Sequence, residues 1–483
     1  MKKMNLLVMS LVSAAALSFS SCSSNDDLAG GAGNQSKVEG FYMTLAVQTP
    51  TSNSTRTQQQ TEKVDATEAE SKVTSGTFYL VNAKGEIVFT KNITEAEWTN
   101  AAPVLTNTGK TQIQVPVQNV TEGETYKVYF LANTTDAKPW ENTYTADKGF
   151  AGTYATDKKF AMFNQNDKNS QADQYTVKFT TANKEIKTPA QVTGTIKLDR
   201  VTARIDKPTS VTTINGVLAE SASELQKKAV ADAKKKVKSI DLTSYALTNL
   251  SNMTNIMQKW DVAWASLQIP TGTTYMQKAK DLGGKYNITN ADWFTDAAQN
   301  YVFENTATTP TTMYFEYKVT LDGTKFTDTP DCTDGTFYRY NGNIYRSIDA
   351  IYAAYKDQPV LFGGKTAAEL LAELKIKTTG EGETATKIIG ATEEELAKFR
   401  EDNVIEVFRA GKTYYSQVIT DNWLGTNTIQ RNTVYRLNVK KIFNVGADVP
   451  NGEPDENKPM YYLDVEVSVN PWVLNTQNVE LGD

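Results

Sequence analysis

Few residues in this chain could do chemistry, and those few point away from catalysis. Histidine is absent from all 483 residues, which excludes Ser-His-Asp and Cys-His nucleophilic catalysis and any imidazole-ligated metal. Cys22 and Cys332 are the two cysteines, too few to build a zinc site. In "TPDCTDG", Asp331 and Asp334 could offer carboxylates to calcium, but their spacing departs from an EF-hand loop and reads as a turn. "GGAGNQ" is a flexible tether rather than a phosphate-binding turn behind a strand. No catalytic residue, metal or cofactor is expected, and the chain does not read as an enzyme.

Two positions carry chemistry of another kind, as substrates of processing. The basic "MKK", the apolar "MNLLVMSLVSAAALSF" and the small residue Ser21 lead directly to Cys22. That order reads as a lipoprotein signal over residues 1–21, with a lipid (palmitate and its diacyl partners) on Cys22. An ordinary signal peptide cut near Ser21 is the other reading. The second position is Arg56, the one basic residue between Lys37 and Lys63, in the hydrophilic "TPTSNSTRTQQQ". A loop of this kind is where a trypsin-like protease cuts most readily, here between Arg56 and Thr57. A chance arginine in a linker is the alternative.

These positions need elements to hold them. Just before the loop, Phe41, Met43, Leu45 and Val47 alternate with Tyr42, Thr44, Ala46 and Gln48, the period-2 pattern of a half-buried strand. A cut after Arg56 would free residues 22–56, this strand included. At the other end, Tyr461, Leu463, Val465, Val467 and Val469 share one face until Pro471, which is expected to end the ladder. Val473, Val479 and Leu481 then share a parity in a shorter, more polar terminal strand. The chain therefore has a patterned strand near each end.

Between them most of the chain reads as short Thr- and Tyr-rich strands, which suggests antiparallel sandwiches. "GTFYLVN" and "IVFTKNI" form a hairpin across "AKGE". Residues 134–173 read as a long decorated loop. "ASELQKKAVADAKKKV" puts Leu225, Ala229, Ala233 and Val237 on one helical face. Thr392 and Glu395 make a capping box for another helix. The length implies two or three domains. With 50 Lys+Arg, scattered rather than banked on one face, against 56 Asp+Glu, a nucleic-acid partner is not expected.

Several stretches together resemble the fimbrial shaft subunits of Bacteroidales, closest to the Mfa-type major subunit family of type V pili. They are "KLDRVTARID", "SIDLTSYALTNL", "YVFENT", "EVFRAGKTYYSQVI", "IQRNTVYRLNVKKI" and "VSVNPWVLNTQNVEL". Asp26 and Asp27 after Cys22 likewise resemble a surface-export signal of Bacteroidetes lipoproteins. The resemblance implies a mainly β fold of two transthyretin-like antiparallel β-sandwich domains with a few inserted short helices, over 57–205 and 206–483. It implies export as a lipoprotein held in the outer membrane and cleavage by an Arg-specific protease at a site matched by Arg56–Thr57. Loss of the strand bearing Phe41, Met43, Leu45 and Val47 would then open a groove. A donor strand from the next subunit, matched here by Val473, Val479 and Leu481, would fill it. The implied partners are copies of the same chain, accessory tip and anchor subunits and the protease; the implied role is adhesion and biofilm formation in a cell-surface fimbrium. A non-polymerising surface adhesin or glycan-binding lipoprotein, or a tip or anchor subunit of the same pilus, are the alternatives.

Overall fold

The computed structural model describes residues 40–50, 64–100, 102–103, 110–156, 159–277, 293–295, 297–358, 360–422, 424–450 and 463–474. β-branched and aromatic residues at alternate positions make strands worth forming only where one face is covered, and among the described residues three large apolar cores do most of that covering.

The first core lies on a ten-stranded sheet. Its strands run Ile87–Ile93, Gly76–Val81, Thr125–Ala132, Met162–Asn164, Ile196–Arg200, Phe41–Gln48, Lys110–Val117 and Ala102–Pro103. Thr176–Lys178 and Ala190–Gln191 pair onto it from the side. Phe78, Leu80, Val128, Phe130 and Leu198 are buried there together with the first strand.

The second core lies between two sheets, as in a sandwich. One contains Val64–Ala66, Leu463–Leu474, Thr433–Ile442, Ala203–Asp206 and Gln299–Val302 in that order. The other contains Val237–Thr248, Thr312–Leu321 and Lys412–Val418. Ile205, Leu437 and Val439 of the former meet Ile240, Met313 and Phe315 of the latter. Antiparallel pairing predominates; parallel pairs occur on one side of the first strand, where Ala203–Asp206 and Thr209–Ser210 meet Thr433–Ile442, and where Val64–Ala66 meets Leu463–Leu474. The mainly β class expected from the pattern is the class observed.

The third core is an insertion between Thr312–Leu321 and Lys412–Val418. Helices Ile348–Ala354, Ala367–Leu374 and Glu393–Asn403 bury Ile351, Leu370, Leu374, Leu396 and Phe399. Thr392 caps the last of these, its hydroxyl accepting from the Glu395 amide while the Glu395 carboxylate accepts from the Thr392 amide. Cys332 is buried in this core, and burial pushes its thiol up to about 12.

Three local expectations give way. Residues 134–173 are not all loop: Met162–Asn164 is an interior strand between Thr125–Ala132 and Ile196–Arg200. Three residues are too short to show a period, and Asn164 hides it further. Its side chain is buried, accepting from the Phe130 amide and donating to the Val128 and Ala172 carbonyls. In helix Glu224–Lys236, Ala229, Val230 and Ala233 are buried but Leu225 is exposed. A four-residue step overshoots the 3.6-residue turn by about 40°, so a strict i, i+4 row rotates off the buried face. Finally, the ladder with Thr433–Ile442 does end at Pro471, but the strand itself runs on from Leu463 to Leu474 instead of giving way to a separate terminal strand. Pro471 pairs with Thr433 on one side, and on the other side Val64–Ala66 begins pairing only at Trp472. A proline without an N–H is tolerated where one edge of the strand asks for no hydrogen bond.

Candidate functional site

The first strand is the best candidate for function because it is placed like a core element yet joined to the rest like an appendage. Gly40 precedes it; a Cβ there would lie 2.9 Å from the Val117 carbonyl oxygen, an approach that glycine allows without displacement. From Phe41 to Gln48 every residue pairs antiparallel with Lys110–Val117, from Phe41 with Val117 to Gln48 with Lys110. On the other side Met43 and Thr44 pair in parallel with Ala190 and Gln191, and Val47 and Gln48 with Ile196 and Lys197. The strand is thus interior to the sheet, bonded on both edges.

Its side chains follow the alternation except at Thr44, which is buried as well. Met43, Leu45 and Val47 are fully buried, and Phe41 is nearly so. Phe41 meets Phe179 with ring centroids 5.3 Å apart and carries the Lys184 ammonium over its face. Burying each of these side chains contributes about 2 kcal/mol. Four of them rival the whole net stability of a typical domain. Taking the strand away without a replacement would expose that apolar surface and two rows of unpaired backbone groups.

The last strand is the other candidate. Leu463–Leu474 pairs antiparallel with Thr433–Ile442, with an irregularity between Val439 and Lys441. Leu463, Val465 and Val467 pack against the second core, while Glu466 is exposed. Val473 lies in the same strand and pairs in register with Asp65. Cys22, Arg56, Thr57, Val479 and Leu481 lie outside the described residues.

Sequence reasoning missed the polar junction between these strands. The short helix Glu68–Ser71 begins at Thr67, whose hydroxyl accepts from the Glu70 amide while its own amide donates to the Glu70 carboxylate. That carboxylate is buried, 3.0 Å from Nη1 of Arg204 and 2.7 Å from the Tyr301 hydroxyl. Burial alone would raise its pKa, but the Thr67 amide, the Tyr301 hydroxyl and Arg204 outweigh it and hold the carboxyl below its ordinary value. Arg200, fully buried, donates to the Glu70 carbonyl, the Ser71 hydroxyl and Oδ1 of Asn432. Asn432 in turn donates to Asp199, and its neighbour Arg431 pairs with Glu304 at 2.7 Å, both side chains buried. Arg200, Arg204, Arg431 and Asn432 stand in the quoted "KLDRVTARID" and "IQRNTVYRLNVKKI", and they bridge the first and second cores. The signal that could have found Glu70 was the Thr67-x-x-Glu70 capping box.

Elsewhere the acidic candidates serve the backbone. Asp331 accepts from the Ile348 amide and Asp334 from the Thr336 amide.

Residues 42–263 match the major fimbrial subunit protein (FimA) family, and residues 406–478 match the C-terminal fimbrillin family of type IV major fimbrial subunit proteins. The chain belongs to the major fimbrial subunits of this lineage. Among curated proteins no significant sequence match was found. Solved structures that resemble it include a candidate cell adhesion protein of Parabacteroides distasonis, 14% identical over 91% of this chain and 99% of that one, TM-score 0.42. A second is a candidate cell adhesion protein of Bacteroides eggerthii, 12% identical over 92% and 100%, TM-score 0.41. A third is a fimbrial assembly protein of P. distasonis, 15% identical over 59% and 82%, TM-score 0.30.

Proposed function

We propose that this fimbrial structural subunit reaches the cell surface as a lipoprotein precursor acylated at Cys22. An Arg-specific protease cuts it between Arg56 and Thr57, and it polymerises by donor-strand exchange. Its partners are further copies of itself, head to tail, with tip and anchor subunits at the ends, and the filament serves adhesion and biofilm formation. One observation carries this reading: an eight-residue strand interior to a sheet, paired along one edge throughout and along the other in part, is joined onward through a hydrophilic stretch holding a single arginine. Such a strand lets the precursor fold with its groove filled, and its loss creates a groove that a neighbour's strand must fill. A head-to-tail contact of this kind does not close on itself, so it builds a filament.

The test is a precursor truncated after Leu474, which removes Val479 and Leu481. With an Arg-specific protease it is cut at Arg56 and stays monomeric, while the full chain forms ladders. Ladders from the truncated chain would overturn the donor assignment.

A further inference from the structure

We propose that residues Val64–Ser71 are a clasp holding the root of the C-terminal strand, with Glu70 its positioning residue. A neighbouring subunit is then offered the residues after Leu474, and the strand up to Leu474 stays at home. This rests on the strand-exchange reading and says which part of the chain takes part in it.

Two independent observations converge. The ladder between Leu463–Leu474 and Thr433–Ile442 ends with the pair Thr433 and Pro471. Beyond it, among the described residues, Trp472, Val473 and Leu474 are paired only with Val64, Asp65 and Ala66, in parallel. A three-residue ladder frays unless something holds its partner in place. The second observation supplies the hold. Ala66 is buried in the first core, and Glu68–Ser71 follows immediately. The Glu70 carboxylate is gripped by Arg204 and Tyr301, the Glu70 carbonyl by Arg200. Arg200 also donates to Asn432, the residue before the strand that pairs with the C-terminal one. The clasp is therefore bolted to both sides of the ladder end that it closes.

The clasp begins after Arg56 in sequence, so a cut there leaves it whole. The departure of the first strand then empties the groove without loosening the strand root at the far end of the chain. Because the clasp pairing is parallel, Trp472–Leu474 runs in the direction in which Val64–Ala66 runs toward its helix.

The register permits a direct test, because Asp65 and Val473 are paired. A precursor carrying Asp65→Cys and Val473→Cys is oxidised, treated with an Arg-specific protease and run beside the wild type. The clasp predicts the same polymer ladder with or without reductant. A locked chain that is cut at Arg56 yet polymerises only after reduction would overturn it, and failure of the pair to oxidise would contradict the register itself. If the wild type is cut and never polymerises, strand exchange fails, and the clasp is judged by hydrogen exchange on the uncut precursor. There Glu70→Gln should speed exchange at Trp472–Leu474 about tenfold, the loss of one charge-assisted contact, while Phe41–Gln48 is unchanged. Equal rates would overturn the clasp. Should Glu70→Gln not fold, Tyr301→Phe gives the same readout with a smaller acceleration, and no acceleration again overturns it.

Discussion

Met43, Leu45 and Val47 have no exposed surface, and in most proteins that would make them permanent core residues. The proposed processing makes them temporary, which separates two states by one substitution. Leu45→Ala should cost the precursor about 3 kcal/mol in chemical unfolding and leave the assembled, processed polymer unchanged. Glu70 is the opposite case, a buried charge present before and after processing. Glu70→Ala leaves Arg204 short of a partner and should cost about 3 kcal/mol at neutral pH. The pH dependence follows from its direction. The folded carboxyl sits below its unfolded value, so its contribution is complete above about pH 4.3 and is lost as pH falls through the folded value. The stability gap between wild type and Glu70→Gln should therefore narrow on going from pH 7 to pH 3, measured by denaturant midpoints. Cys332, with its thiol pushed up to about 12 and buried, should react with a thiol reagent only as fast as the third core opens.

Elements with a long, clean period are legible in the sequence. The Phe41–Gln48 strand, the Gly76–Val81 and Ile87–Ile93 hairpin and the capped Glu393–Asn403 helix lie where alternation and capping put them. What failed did so for physical reasons. Met162–Asn164 is too short to carry a period, and its buried Asn164 satisfies backbone groups instead of showing an apolar residue. Pro471 does mark the end of the ladder with Thr433–Ile442, but sequence cannot say that Val64–Ala66 takes over from Trp472 and carries the strand on. The Glu70–Arg204–Arg200–Asn432 junction joins residues more than two hundred positions apart, a separation that local pattern does not reach. The arginines were visible in quoted motifs, but their burial and their partners were not.

At the scale of the whole molecule, the proposed excision of the first strand makes a folded precursor and an assembling subunit mutually exclusive states of one chain. A chain expressed from Thr57 onward lacks the strand and should yield no stable monomer. It should sediment as polymers or aggregates, whereas the precursor sediments as one species. A soluble monomeric chain starting at Thr57 would mean that the groove tolerates being empty, against the burial seen for its four apolar residues. The central claim is that a cut at Arg56 releases assembly. The most direct measurement compares the wild-type precursor with Arg56→Ala after treatment with an Arg-specific protease, on gels run with and without heating. The account predicts a heat-labile ladder for the wild type and a monomer for Arg56→Ala. Ladders from both chains, or a wild type cut at Arg56 that stays monomeric, would contradict it.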